Sequence, residues 1–197
     1  MNYLMLVDKF NPLPSDFSEK LCFYEVHGTL FENQAGRALE KMLGAAKKEN
    51  INIKIISGYR SPDYQQLLWE RNISLEMWSG LCYEDAVKKV GRTLALPGSS
   101  EHNTGLAADL GTEDACDCQN DFHRTAQGRW LGKNAAAYGF ILRYPRMKEQ
   151  ITGIDFEPWH YRYVGSEAAM LISDSGLCLE EFLHFYSDRF TDIPRNS

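Results

Sequence analysis

An amphipathic run that passes directly into an alternating one constrains this chain more than any other feature. From Glu32 to Asn50, apolar residues fall at Ala35, Ala38, Leu39, Met42 and Ala46, a stripe that a helix keeps on one face. Ile51 to Ile56 then reads Ile-Asn-Ile-Lys-Ile-Ile, the period of a half-buried strand. Gly58 ends it. Ser61-Pro62 predicts the next helix start, because serine caps and proline suits the first helical position. Tyr64, Leu67, Leu68 and Asn72 are expected to carry that helix along the core. Helices are further expected over 84–92, 125–138, 166–174 and 179–188. Strands are expected over 106–110, 140–144 and 159–164, with a loop at 96–100 and an acidic, turn-like stretch at 111–121. Helices and strands mix without regular βαβ repetition, so the expected fold is α+β, with a central antiparallel β-sheet flanked by helices. The 197 residues suffice for one core and are too few for two comfortable ones, so a single domain over 1–197 is expected.

Charge and composition exclude several classes. The formal net charge is -6, and a binder of phosphates needs a basic face, so no nucleic-acid partner is expected. No stretch approaches the roughly 18 apolar residues of a membrane span, so no transmembrane segment is expected. Met1 to Lys9 lacks the basic leader, long apolar run and small-residue cleavage site of a signal peptide. That points to a cytoplasmic enzyme, or to an exported one trimmed of its leader. The five cysteines, Cys22, Cys82, Cys116, Cys118 and Cys178, are odd in number and lack the spacing of a disulfide scaffold, which favours a reducing compartment. Cys116, Cys118 and His123 could be imagined as a metal clip, but the cysteines lack the C-x2-C spacing of structural zinc sites.

Two segments carry chemistry. In Ser100-Glu101-His102-Asn103-Thr104-Gly105-Leu106-Ala107-Ala108-Asp109, an imidazole and a carboxylate stand seven residues apart. Gly105 permits a reversal between them, and Ala107 and Ala108 let the strand approach its neighbours. In Glu157-Pro158-Trp159-His160, an imidazole follows a carboxylate by three residues. A regular strand would point those two side chains to opposite faces, but Pro158 breaks the strand and a bend can bring both to one pocket. His102, Asp109 and His160 together make three ligands with one position left for water, the pattern of a catalytic zinc site. Zinc lowers the pKa of its water to roughly 7, and Glu157 is placed to take the proton. Each piece has a bland reading: a lone histidine is commonly structural, Asp109 could cap or bond a loop, and Glu157 with Arg162 could be a surface pair. The two patterns taken together outweigh those readings. His27, His123 and His184 lack such context.

The strings Ser100-x-His102-x-x-Gly105-x-Ala107-x-Asp109 and Glu157-x-Trp159-His160 resemble the signatures of VanY/VanXY-type zinc D-alanyl-D-alanine carboxypeptidases, which are related to VanX dipeptidases and L,D-carboxypeptidases. Residues 6–14, Ser57-Gly58-Tyr59-Arg60-Ser61 with Gln65, and residues 138–145 resemble further family blocks. The resemblance implies zinc on His102, Asp109 and His160, with Glu157 as general base and acid. It implies that Arg60 stabilises the oxyanion, since arginine keeps its charge and donates in a fork. It places Gln65, Ser100 and Ser57 on the substrate side, and Trp159 and Tyr163 as packing that positions His160. The implied reaction is hydrolysis of the last D-Ala-D-Ala bond of a peptidoglycan precursor or muropeptide. A dipeptide-selecting pocket should offer an acid to the free amine; Ser57 is not one, which leans towards longer peptides, while the short N-terminus resembles the bifunctional VanXY form and keeps D,D-dipeptidase activity open. Roles in vancomycin resistance or cell-wall remodelling follow as hypotheses. The competing readings are an L,D-carboxypeptidase, an endolysin-type endopeptidase and a non-catalytic wall-binding module.

Overall fold

Two left-handed residues set the first strand pairing. His27 and Gly28 have φ of 49° and 80°, the conformation of a two-residue turn whose twist suits flanking strands. The turn joins β1 (Phe23–Val26) to β2 (Thr29–Glu32) in an antiparallel hairpin. Periodicity misses this hairpin because its strands are only four residues long; the His27-Gly28 pair was the available signal. The structure is a computed structural model and describes residues 1–186.

Helix α1 (Asn33–Lys48) is capped by Glu32, whose carboxylate accepts from the Gln34 and Ala35 amides at 2.8 and 3.0 Å. Its stripe is as expected: Ala35, Leu39, Met42 and Ala46 are wholly buried. Strand β3 (Lys54–Ser57) begins three residues later than the alternation suggests. Ile51 and Ile53 instead pack on the main core from the approach to the strand. Helix α2 (Pro62–Trp78) starts where expected, with Ser61 Oγ accepting from the Tyr64 amide at 3.1 Å. Its inward face differs from expectation. Gln65, Trp69 and Ile73 are buried, whereas Tyr64 and Leu67 are exposed. The reason is the partner: α3 (Tyr83–Val90) packs Ala86 and Val90 against Trp69 and Ile73, turning the other face outward.

Strand β4 (Ala107–Gly111) is buried throughout. Helix α4 (Ala126–Asn134) gives way to a 3₁₀ turn over Ala135–Tyr138, and β5 (Phe140–Leu142) ends two residues early. A one-turn helix, α5 (Glu149–Thr152), was not anticipated. Strand β6 (His160–Tyr163) follows, then α6 (Ser166–Ser175) and α7 (Leu179–Tyr186). Residues 187 and 188 of the last expected helix lie outside the described residues. The main sheet runs β3-β4-β6-β5, antiparallel throughout, so the fold is α+β with helices flanking a central antiparallel sheet. Among the described residues no helix is long and apolar enough to cross a membrane.

Candidate metal centre and active site

The sheet register brings distant segments to one face. Asp109 in β4 lies opposite His160 of β6 on one side and Ser57 of β3 on the other. Opposed residues project to the same face, so carboxylate, imidazole and hydroxyl share it. His102 arrives from the 3₁₀ turn Glu101–Thr104, just before β4. Gly105 then reverses the chain at φ 70°, and a Cβ there would stand 2.6 Å from the Glu32 backbone nitrogen, which excludes any side chain. Pro158 does separate Glu157 from the strand: β6 starts at His160, and the His160 amide donates back to the Glu157 carbonyl at 3.2 Å. The resulting turn places Glu157 Oε2 at 3.4 Å from His160 Nδ1.

One donor atom from each of His102, Asp109 and His160 lies within 4.8 Å of the others. His102 Nε2 is 3.2 Å from Asp109 Oδ2, and His160 Nδ1 is 3.3 Å from Asp109 Oδ1. His102 Nδ1 donates to the Gly58 carbonyl at 2.7 Å, which leaves Nε2 bare for a cation. His160 turns the other way: Nε2 faces Glu101 Oε2 at 3.4 Å and Nδ1 points to the centre. Asp109 Oδ1 is buried without a hydrogen-bond partner. A buried carboxylate oxygen lacking a donor is costly unless a cation meets it. Two imidazoles and a carboxylate, beside an open cleft, are a donor set zinc accepts with a position to spare. The residues present therefore fit zinc.

Burial, with Arg60 nearby, lowers the His102 pKa and keeps this imidazole neutral, as a ligand must be. Burial alone would raise the Asp109 carboxyl, but His102, His160 and Arg60 outweigh it and hold it well below the usual range. Burial pushes Glu157 up to about 8. His160 is raised to about 9: burial opposes its protonation, but the carboxylates of Asp109 and Glu101 beside it prevail. A divalent cation at the centre would oppose both of these protonated forms.

The other expected residues also reach the cleft, which measures about 820 Å³ and is lined by Ser57, Arg60, Gln65 and Ser100 together with the metal group. Arg60 turns to the metal group. Its Nη2 stands 2.5 Å from Asp109 Oδ2 and its Nε donates to Ser57 Oγ at 2.8 Å. Gln65 is fully buried; its Nε2 donates to the Ala95 carbonyl at 2.8 Å, and its Oε1 has no partner. Trp159 lines the cleft, but the aromatic ring on His160 is Tyr144, at 4.9 Å between centroids. Tyr163 packs on Tyr3 and Phe140 instead, because its strand position turns it to the opposite face of the sheet from His160. Cys116, Cys118 and His123 form no metal group: His123 packs on Phe156, and all five cysteines are free.

Sequence reasoning missed the buried ions behind His160. Glu101 Oε1 accepts from Arg143 Nε at 2.7 Å and from Arg162 Nη1 at 2.6 Å. Arg143 also forks onto Glu180 at 3.0 and 2.7 Å, and Arg162 donates to the Tyr3 and Met5 carbonyls. Arg162 is thus wholly buried on Glu101 rather than paired at the surface with Glu157. The available signal was a charge in the middle of an aromatic strand, Tyr161-Arg162-Tyr163.

An open-sided His-Asp-His centre beside a protonatable carboxylate is the equipment of a zinc hydrolase, able to activate water and to move its proton. Comparison with known proteins narrows that class. The family model VanY, D-alanyl-D-alanine carboxypeptidase, matches residues 28–166, and the chain belongs to this family. It is 38% identical over 191 residues to the putative carboxypeptidase YodJ of Bacillus subtilis, covering 92% of this chain and 67% of that protein. Its fold matches that of VanYB in complex with D-alanine-D-alanine, with a TM-score of 0.83 at 34% identity over 92% of this chain and 97% of the other. It also matches the LdcB LD-carboxypeptidase, with a TM-score of 0.72 at 38% identity over 91% and 84% of the two chains. A solved structure it also resembles, a mutant of the vancomycin resistance D,D-pentapeptidase VanY from a VanB-type resistance cassette, is a complex with Zn(II). The chain is a zinc-dependent carboxypeptidase of the D-alanyl-D-alanine type.

Proposed function

We propose that this cleft removes the terminal D-alanine from peptidoglycan precursor peptides ending in D-Ala-D-Ala, and prefers peptides longer than the free dipeptide. The observation that carries the reading is the convergence of His102, Asp109 and His160 with Glu157 at 3.4 Å from His160. Zinc on those three residues would supply Lewis acidity to the water and to the scissile carbonyl. Glu157 accepts the proton of the attacking water and returns it to the leaving D-alanine nitrogen. Its burial makes it more basic than an ordinary carboxylate, which favours the first task. Arg60 donates to the carbonyl oxygen as negative charge gathers there. Ser57 holds the Arg60 guanidinium, and Gln65 and Ser100 form part of the substrate wall. Preference for longer peptides rests on Ser57: this position offers a hydroxyl already engaged by Arg60, and not a carboxylate for a dipeptide's ammonium.

The five unpaired thiols support a reducing, cytoplasmic setting. Cleavage of precursors there would deprive vancomycin of its D-Ala-D-Ala target. The test is release of D-alanine from dipeptide, pentapeptide and tetrapeptide, with chelator and zinc add-back. Pentapeptide hydrolysis that disappears with chelator and returns with zinc is expected. D-alanine from the tetrapeptide alone would replace the D,D reading with an L,D one, and chelator-resistant hydrolysis would remove the zinc mechanism.

A further inference from the structure

The outward face of α2 is anomalous for a helix at a protein surface. It buries the polar Gln65 and leaves Tyr64, Leu67, Leu75 and Trp78 exposed at 51%, 59%, 55% and 94%. Apolar area gathered on one exposed face marks a surface that something else covers. The face is continuous with the catalytic cleft, because Tyr64, Leu68, Arg71 and Leu75 line the same cavity as the metal group.

Two polar points on this wall have unmet bonding capacity. The first is Gln65 Oε1, fully buried and without a donor. Its orientation is fixed, since Nε2 donates to the Ala95 carbonyl and a flip would set oxygen against oxygen. It asks for an N–H, which a substrate amide carries. The second is Arg71. Among the described residues Arg60 and Arg71 are the arginines lining the cleft, and Arg60 is engaged by Asp109 and Ser57. Arg71 has no hydrogen bond or ion pair among the described residues. The neighbouring acids on α2 are taken: Glu70 accepts from Gln66, and Glu76 pairs with Lys89.

We propose that this face of α2 binds the stretch of stem peptide preceding the scissile bond, with Arg71 receiving a carboxylate carried two or three residues before that bond. The proposal rests on the peptidase reading above and adds a specificity-determining residue to it. From Gln65 to Arg71 the helix advances roughly 9 Å. An extended peptide advances about 3.3–3.6 Å per residue, so two or three residues span that distance. The leaving D-alanine's own carboxylate is two bonds from the scissile nitrogen, and so stays beside the metal group and Arg60. Tyr64, Leu68 and Leu75 then lie under the intervening side chains.

The experiment compares matched stem pentapeptides ending in D-Ala-D-Ala. One pair carries the second residue as D-glutamate with a free α-carboxylate or as its amide. The other carries the third residue as diaminopimelate, free or amidated. In the wild-type protein, amidation at one of these positions should lower kcat/KM about five-fold, through KM, the most that a solvent-exposed ion pair supplies. Arg71→Glu should lower kcat/KM about ten-fold on the free acid and leave the amide nearly unchanged, and Arg71→Lys should retain most of the preference. Equal loss on acid and amide, or no loss on either, would overturn the proposal. Calorimetric binding of the same peptides to Glu157→Gln reads the acid preference without turnover. If no D-alanine is released from any peptide yet the Arg71-dependent preference persists, the catalytic reading fails and the subsite stands; hydrolysis without the preference gives the converse.

Discussion

Glu101 and Glu157 are both buried, both face the His160 imidazole, and come from opposite sides of it. Their environments drive them apart. Burial would raise the Glu101 carboxyl, but Arg162 and Arg143 outweigh it and hold it far below the ordinary range. Glu157 has no arginine at ion-pair distance among the described residues, and burial pushes it up to about 8. One glutamate is therefore a fixed anion that orients a ligand and ties its own turn to Arg143 and to the strand carrying His160 and Arg162. The other can change its proton, and its side chain keeps a trace of exposure where that of Glu101 has none. The same residue type does structural or chemical work according to whether guanidinium groups surround it.

The largest test of that contrast removes the proton carrier. Glu157→Gln should reduce kcat by about 10²–10⁴-fold, the usual contribution of a positioned acid–base group. Zinc content should stay at one per chain by metal analysis, and thermal stability should not fall. Surviving turnover would show that the mobile proton lies elsewhere.

Next comes the fixed anion. Glu101→Ala leaves Arg143 and Arg162 buried without their carboxylate and should cost about 3–5 kcal/mol in denaturant unfolding, as breaking a buried pair does. Glu101→Gln should lose less, because one amide oxygen can still accept. An effect on turnover with unchanged stability would mean that Glu101 belongs to the chemistry after all.

A pH series sharpens the comparison further. In the metal-free protein, Glu157 folds with a pKa of about 8 against an ordinary 4.5, and His160 with about 9 against 6.5. Both are raised, so the stability they give is full below the unfolded values and is lost as pH rises through the folded ones. The melting temperature with chelator should fall between about pH 5 and 9. Glu157→Gln should remove the lower part of that slope. Glu101 works in the other direction: its stabilisation is present above the ordinary carboxylate pKa and is lost in acid.

The smallest expected effect is at Ser57. Ser57→Ala removes the oxygen that accepts from Arg60 Nε at 2.8 Å and should slow turnover about ten-fold, the low end of a hydrogen bond's worth to a charged group. A gain of dipeptide hydrolysis in Ser57→Asp would tie this position to substrate length, as the Proposed function requires.

Local pattern was enough for several parts. Helix α1 showed itself because its stripe repeats over sixteen residues. His102, Asp109, His160 and Glu157 were legible because ligand spacing and the glycine and proline beside them are properties of short segments. The hairpin of β1 and β2 escaped because four-residue strands hold too little periodicity. Helix α2 carried apolar residues on two faces, and nothing within it said which would be covered.

Chain order thus determined which residues could hold a metal, since each ligand's chemistry and its adjacent turn are encoded within a few positions. Only the tertiary structure decided that Glu101 would meet Arg143 and Arg162, 42 and 61 positions away, or that α3 would cover Trp69 and leave Arg71 facing the cleft. Such contacts depend on how separate elements dock, and burial by a distant partner leaves no mark in the spacing of the residues it buries.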